Sequence, residues 1–138
     1  GLQAAVLSIK LKYLDNWNAQ RRQWAALYSE QLADVAGLTC PITQDDNTHV
    51  FHQYVVCTET TDQRTQLMDT LKAQGIHTGL HYPTPLHLQP AYADLGYTQG
   101  RFPHAERLAS TGLSLPMFAE LTEHDITRVT QAIRTALT

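Results

Sequence analysis

Apolar residues recur at helical spacing from Leu2 to about Val35, and neither proline nor glycine interrupts them. Gly37 and Pro41 then end the pattern. A helix of about 35 residues is roughly 50 Å long, whereas a domain of this size has a radius of gyration of about 14 Å. We therefore expect one end of the helix to extend past the domain, or the helix to break.

The two halves of this helix carry different apolar patterns. In the second half a narrow stripe predicts packing on one side. In the first half apolar side chains surround much of the helix, which is typical of a helix buried all round. These residues are Leu2, Val6, Leu7, Ile9, Leu11, Tyr13 and Leu14. A dimer or coiled-coil helix is the alternative, but no sustained heptad with charged e and g positions supports it.

This pattern predicts a division of the chain into two parts. We interpret residues 1–36 as a connecting helix whose N-terminal half packs on a large domain that the sequence does not contain. Residues 37–138 are interpreted as a small C-terminal α+β domain. The sequence is thus expected to be the C-terminal part of a longer protein.

Three segments after the helix have strand character. Residues 49–58 are rich in β-branched and aromatic residues, which predicts a buried strand. Residues 76–82 alternate between two faces and predict a second strand. Residues 113–117 predict a short third strand, which Pro116 marks as a strand end or edge. Together with the helices, which are expected on one side, these strands predict a small α+β fold with a sheet of about three strands.

Three further helices are predicted from signals at their ends. The first helix is predicted to begin at a capping box of Thr60 and Gln63 and to end at Gly75. The second has Pro103 in its first turn and Gly112 just past its last turn. Thr122 and Asp125 mark the start of the final helix.

The composition excludes several classes of protein. Ten Lys and Arg stand against 13 Asp and Glu, a formal net charge of -3, which provides no basic surface for nucleic acid or membrane. No apolar run approaches the roughly 20 residues that span a bilayer, and no signal peptide is visible. Cys40 and Cys57 form no disulfide framework in a chain of this length, so we expect a cytoplasmic setting and buried, inert thiols.

The segment "GLHYPTPLHLQPAY", residues 79–92, is the main candidate for chemistry. His81 and His87 can exchange a proton near neutral pH or hydrogen-bond a sugar hydroxyl or phosphate. Tyr82 and Tyr92 can stack on a sugar or base. Three prolines restrict the loop and lower the entropy lost on binding. A loop whose polar groups only satisfy one another explains the same residues equally well.

Other chemical constellations are weaker. His49 and His52 lie three positions apart on a predicted strand and so point to opposite faces, which argues against a shared metal ion. No serine-hydrolase, P-loop or dinucleotide-binding motif occurs. The only lysines, Lys10, Lys12 and Lys72, lie on predicted helices among polar residues and are expected at the solvated surface. No metal site is predicted.

Four segments together resemble one known family. They are "LQAAVLSIKLKYLDNWNAQRR", "GIHTGLHYPTPLHLQPAY", "FPHAERLAS" and "LSLPM". In this order and spacing they are similar to the C-terminal part of the DegT/DnrJ/EryC1/StrS family of sugar aminotransferases, which depend on pyridoxal 5'-phosphate (PLP). The similarity covers essentially the whole chain and implies the small domain of a fold type I PLP enzyme.

The resemblance also implies a function. Family members are typically homodimers that transfer an amino group from glutamate or glutamine to a keto group on a nucleotide-linked sugar, for antibiotics or cell-surface polysaccharides. It implies that His81, Tyr82 and His87 line the active-site mouth, with Gln89 as a weaker candidate. These residues would recognise sugar or phosphate groups and would not perform the central proton transfer.

One part of the family pattern is absent. The Schiff-base lysine, the acidic partner of the pyridinium nitrogen and most phosphate ligands lie in the family's large domain, which would precede Gly1. PLP chemistry requires that lysine and that acid, and none of the three lysines here lies in a matching motif. We therefore expect no catalytic residue in this chain and no transamination by it alone. The alternatives are a stand-alone α+β module for ligand binding or dimerisation, and a relative that binds PLP but performs dehydration or regulation.

Overall fold

A computed structural model describes residues 1–137 as an α+β fold with a long N-terminal helical segment, as predicted. Five α-helices and a three-stranded sheet are present in this range. The α-helices are α1 (Leu2–Lys10), α2 (Leu14–Leu32), α3 (Thr61–Ala73), α4 (Pro103–Thr111) and α5 (Glu123–Leu137). The strands are β1 (Leu38–Thr39), β2 (Tyr54–Thr58) and β3 (Gly112–Leu115). Short 3₁₀ turns cover Leu11–Tyr13, Leu86–Leu88 and Pro90–Leu95.

The sheet is antiparallel throughout, with the order β1-β2-β3. β1 is a two-residue strand that the sequence did not predict; in it Leu38 pairs with Thr58. On the other side of β2, Tyr54 pairs with Leu115. β3 occupies most of the predicted strand 113–117 and ends before Pro116, as expected from the missing N–H of proline.

The predicted strand 49–58 is wrong in its first half. Only Tyr54–Thr58 forms a strand. Phe51 has a positive φ of 48°, which is outside the extended region. Its backbone N–H donates to Nδ1 of His49 at 2.9 Å, so a local hydrogen bond replaces strand pairing there.

The predicted strand 76–82 is wrong as a continuous strand. It contributes a single bridge, in which Gly79 and Ser114 exchange two backbone hydrogen bonds of 2.8 and 3.0 Å. Extending this ladder in either direction would require the N–H groups of Pro116 and Gly112. Proline has no N–H, and the N–H of Gly112 donates to the carbonyl of Leu108 at the end of α4. Pairing therefore stops after one residue.

The signals at the helix ends are confirmed. In the capping box of α3 the N–H of Gln63 donates to Oγ1 of Thr60, and Oε1 of Gln63 accepts from the N–H of Thr60, both at 3.2 Å. Gly75 follows α3 with a φ of 72°, a conformation that favours glycine. At the start of α5 the N–H of Asp125 donates to Oγ1 of Thr122, and a carboxylate oxygen of Asp125 accepts from the N–H of Thr122.

The N-terminal helical segment differs along its length. It runs from Leu2 to Leu32, with the turn Leu11–Tyr13 separating α1 from α2. α1 buries no residue. α2 buries Ala25, Tyr28 and Leu32 against the sheet and α5. Among residues 1–137 no helix combines the length and apolar content needed to cross a membrane.

Two stacked tyrosines join α2 to the sheet at the centre of the core. The rings of Tyr28 and Tyr54 lie 5.0 Å apart. The Tyr28 hydroxyl donates to the carbonyl of Pro116 at 3.0 Å, and the Tyr54 hydroxyl lies 2.8 Å from Oγ of Ser29. Burial raises the pKa of both phenols, so both stay protonated and hydrogen-bonded. The C-terminal half of α2 is thereby fixed to the sheet.

The two cysteines are free and half-buried. Cys57 lies on β2 and Cys40 follows β1. Since Thr39 pairs with Cys57, the neighbouring Cys40 points to the opposite face of the sheet. The two thiols therefore do not face each other.

Candidate functional site

The loop after Leu80 and helix α4 form an open cleft of about 400 Å³. It is lined by all four residues that the family resemblance assigns to the site, whereas Tyr92 is not among its lining residues. The cleft is lined by His81, Tyr82, Thr84, Pro85, Leu86, His87, Gln89, Phe102, Ala105, Leu108 and Ala109. The proline-rich loop forms one wall and α4 forms the other.

His81 is held against the edge of the sheet. Its Nδ1 lies 2.9 Å from Oγ of Ser114, a buried residue of β3. Its ring also lies over Gly79, where a Cβ atom would come within 2.7 Å of Cε1 of the imidazole. The orientation of the ring thus depends on a hydroxyl beside it and on the lack of a side chain beneath it.

Tyr82 is the most exposed aromatic residue of the cleft, with 72% of its surface accessible. The peptide bond between His81 and Tyr82 is cis. The two rings meet edge to face with their centres 5.5 Å apart. The phenol of Tyr82 is therefore available to a ligand, by stacking or by a hydrogen bond.

His87 is buried further along the proline-rich loop. Its side chain is 8% exposed, and its Nε2 lies 2.9 Å from a carboxylate oxygen of Glu106. The ring of Phe102 packs edge-on against the imidazole at 4.9 Å. Gln89 is half-buried beside it, and its backbone N–H donates to the carbonyl of Leu86.

Glu106 is a site residue that the sequence reasoning missed. It lies in α4, and its carboxylate accepts hydrogen bonds from the N–H of Gly100 at 2.8 and 2.9 Å and from the N–H of Phe102 at 3.2 Å. The hydrogen bond from Gly100 contributes most to holding the pKa of the Glu106 carboxyl below its usual range, and the contacts with His87 and Phe102 act in the same direction. The only sequence signal was an acidic residue near the start of a helix that begins at Pro103.

A second, more polar depression lies on the other side of His81. It is lined by His52, Gln53, His77, Gly79, His81, Ser114, Leu115 and Met117. Although three of these residues are histidines, no three His, Cys, Asp or Glu side chains in the described part of the chain are arranged to hold a metal ion.

All three lysines lie outside the cleft. Lys10, Lys12 and Lys72 are exposed, on α1, on the following 3₁₀ turn and on α3. None of them lines the cleft. The cleft offers hydrogen-bonding and aromatic groups but no amine.

Comparison with known proteins gives a consistent result. The model of the DegT/DnrJ/EryC1/StrS aminotransferase family matches residues 1–134. The chain is 46% identical to a protein of Geobacillus stearothermophilus named pleiotropic regulatory protein, over 96% of this chain and 35% of that protein. It is 43% identical to the dTDP-3-amino-3,4,6-trideoxy-alpha-D-glucose transaminase of Streptomyces venezuelae, over 96% of this chain and 34% of that enzyme.

The fold is also shared with solved structures. The crystal structure of S. venezuelae DesV superposes with a TM-score of 0.90 at 43% identity, over 96% of this chain and 35% of that one. The chain thus spans about a third of the length of the relatives that it matches. Because the family model and these relatives cover nearly all of the chain, the chain belongs to the DegT/DnrJ/EryC1/StrS aminotransferase family.

Proposed function

We propose that this chain is the C-terminal part of a PLP-dependent aminotransferase that transfers an amino group from glutamate or glutamine to a nucleotide-linked keto-sugar. The observation that carries the proposal is the cleft, which gathers His81, Tyr82, His87 and Gln89 in a chain of this family. The transaminase of S. venezuelae that the chain resembles is named for an amino sugar linked to dTDP.

The cleft residues bind and orient the sugar nucleotide in this proposal. Tyr82 presents an exposed ring that can stack on a sugar or base. His81, held by Ser114, can donate or accept a hydrogen bond at a sugar hydroxyl or phosphate. His87 and Gln89 line the cleft further along the same loop. None of these groups is assigned a proton transfer at the reacting carbon.

PLP does not fit the residues of this chain as its principal site. PLP provides an electron sink only when a lysine holds it and an acidic group faces its ring nitrogen. The residues that line the described cleft include no lysine and no carboxylate, and the nearby Glu106 is occupied by Gly100, Phe102 and His87. We propose that the rest of the enzyme binds PLP and that the 138-residue chain alone does not transaminate.

We further propose that residues 1–36 connect this small domain to that larger part. The apolar surface of residues 2–14 supports this, because Leu2, Leu7 and Leu11 are each more than half exposed. Apolar side chains so arranged are stable only when another surface covers them. The whole enzyme is proposed to act as a homodimer.

The test is an absorbance spectrum of the 138-residue chain mixed with PLP, recorded beside the full-length protein. We expect a band that borohydride reduces in the full-length protein alone, together with transamination of a nucleotide-linked keto-sugar. A specific band in the short chain that disappears when Lys10, Lys12 or Lys72 is replaced would contradict the proposed division of labour. No band in either protein would instead indicate a non-catalytic binding or dimerisation module.

A further inference from the structure

One carboxylate organises the outer wall of the cleft. We call residues 86–102 the outer loop; it carries four of the cleft-lining residues, namely Leu86, His87, Gln89 and Phe102. Its two 3₁₀ turns, Leu86–Leu88 and Pro90–Leu95, precede a stretch without regular structure that leads into α4. Glu106 contacts this loop at three separate places.

The backbone of the outer loop is shaped to fit Glu106. Gly100 has a φ of 89°, which a residue with a side chain would adopt only under strain. In this conformation the N–H of Gly100 reaches both carboxylate oxygens, and the N–H of Phe102 reaches one of them. Hydrogen bonds to an ionised acceptor are stronger than those between neutral groups. The end of the outer loop is therefore anchored to α4 by a charged group.

The beginning of the outer loop is anchored to the same carboxylate. His87 reaches Glu106 through Nε2, and the rings of Phe102 and Tyr97 pack edge-on against its imidazole at 4.9 and 6.5 Å. The side chain of Glu106 is only 16% exposed. With its oxygens directed at the loop, Glu106 shapes the cleft and is not itself available to a ligand.

We propose that Glu106 is a positioning residue for the nucleotide-linked sugar, acting by holding both ends of the outer loop in the wall of the cleft. This inference rests on the proposed function, since it requires the cleft to be the sugar site. α4 begins with Pro103, whose φ suits a first helical turn, and the N–H of Glu106 donates to the carbonyl of Phe102 at 3.0 Å. Loss of the carboxylate should therefore release the loop without unfolding the helix.

The experiment compares three substitutions of Glu106 in the full-length protein. Glu106→Asp keeps the charge but shortens the side chain by one methylene, so it separates position from charge. Glu106→Gln keeps an oxygen that can accept from Gly100 and Phe102, and Glu106→Ala removes every contact. Asp69→Asn, at an exposed carboxylate of α3 outside the cleft, is the matched control.

Two readouts are combined. Hydrogen exchange, measured on peptides that cover 96–102, reports whether the outer loop is released. Steady-state kinetics with a nucleotide-linked keto-sugar and glutamate reports the KM for each substrate. We expect Glu106→Ala and Glu106→Asp to speed exchange and to raise the sugar KM on the order of tenfold, with the glutamate KM within about twofold. Glu106→Gln should restore part of both properties, and Asp69→Asn should match the wild type.

Several results would overturn the inference. One is a sugar KM that stays within about twofold of the wild type in Glu106→Ala and Glu106→Asp; another is an equal rise of both KM values. If Glu106→Asp matches the wild type in hydrogen exchange and in the sugar KM, the charge of residue 106 alone matters and the positioning role is rejected. If the wild-type protein itself shows no transamination, the proposed function fails instead, which is a different result from an active enzyme insensitive to Glu106.

The partner on the loop provides an independent check. Because His87 and Glu106 contact each other, the effects of their substitutions on the sugar KM should not be additive. We expect Glu106→Ala combined with His87→Ala to raise the sugar KM no more than the larger single effect. Additive effects would show that His87 acts on the sugar without Glu106 and would count against the positioning role.

Discussion

The imidazole of His81 is held in place by two neighbouring residues, Ser114 and Gly79. Ser114 holds its Nδ1, and Gly79 leaves room for the ring. Because Gly79 pairs with Ser114 by backbone hydrogen bonds, these two supports form one unit. The ring is thus oriented by the edge of the sheet.

Gly79→Ala is expected to displace the His81 ring while leaving the fold intact. The added methyl would lie 2.7 Å from Cε1 of the imidazole, and a side chain yields more easily than the backbone. In the full-length enzyme we expect the sugar KM to rise on the order of tenfold, with a change in the free energy of unfolding of about 1 kcal/mol or less. Steady-state kinetics and urea denaturation measure the two quantities.

The matched control for this substitution is the double variant with His81→Ala. If the methyl acts only through the ring, Gly79→Ala should add nothing once the imidazole is gone. A further loss of sugar affinity in the double variant would show that Gly79→Ala disturbs another part of the cleft.

Among the individual residues of the site, the loop residues could be predicted from the sequence and Glu106 could not. The proline-rich loop could be recognised as a candidate binding element from its histidines, tyrosines and prolines. The family resemblance added His81, Tyr82, His87 and Gln89 as site residues, and the structure brings all four to one cleft. Glu106 lies 19 residues from His87 in the chain, and no pattern connects the two. Its contacts depend on the path of the outer loop, which is a tertiary property.

At the scale of elements, local signals predicted correctly and long-range pairing did not. Capping boxes join residues three positions apart, so the sequence alone determines them. The strand 76–82 failed because its extension depends on Gly112 and Pro116, more than 30 residues away. Its alternating pattern described the segment's own preference and contained no information about the partner strand.

Removal of the capping hydroxyl of α3 should measure one of these local signals. Thr60→Ala leaves the N–H of Gln63 without its acceptor. We expect the free energy of unfolding to fall by about 1 kcal/mol. Thr65→Ala, at an exposed position within α3, is the control and should change it by less than about 0.5 kcal/mol. Equal effects from the two substitutions, in urea denaturation, would show that the cap does not stabilise the helix.

At the scale of the whole molecule, the distribution of apolar surface is uneven. The small domain encloses one core that includes the end of α2. α1 buries nothing, and one open depression is lined by Leu7 of α1, Leu11 of the following 3₁₀ turn and Leu14 at the start of α2. This asymmetry was predicted from the sequence, because an apolar pattern around a whole helix is visible without knowing the fold. In the proposed function, the larger part of the enzyme covers α1.

We expect the 138-residue chain alone to self-associate through the exposed apolar face of residues 2–14. Leu7→Glu with Leu11→Glu should shift it towards the monomer, because two charges oppose the burial of this face. Both residues are exposed, so the domain core should keep its stability. Sedimentation velocity measures the association. Ile42→Glu, at an exposed apolar residue outside residues 2–14, is the control, and an equal effect of both variants would exclude that face as the contact surface.

The single bridge between Gly79 and Ser114 has a consequence for aggregation. An open sheet edge normally offers a row of free N–H and carbonyl groups on which a foreign strand can grow. Here the edge of β3 is blunted, because Gly79 occupies its centre, Pro116 has no N–H and the N–H of Gly112 is already donated to Leu108. The opposite edge, β1, is only two residues long and is followed within two residues by Pro41. The sheet is therefore a poor template for amyloid growth, and a preparation kept folded should resist seeding by cross-β fibrils.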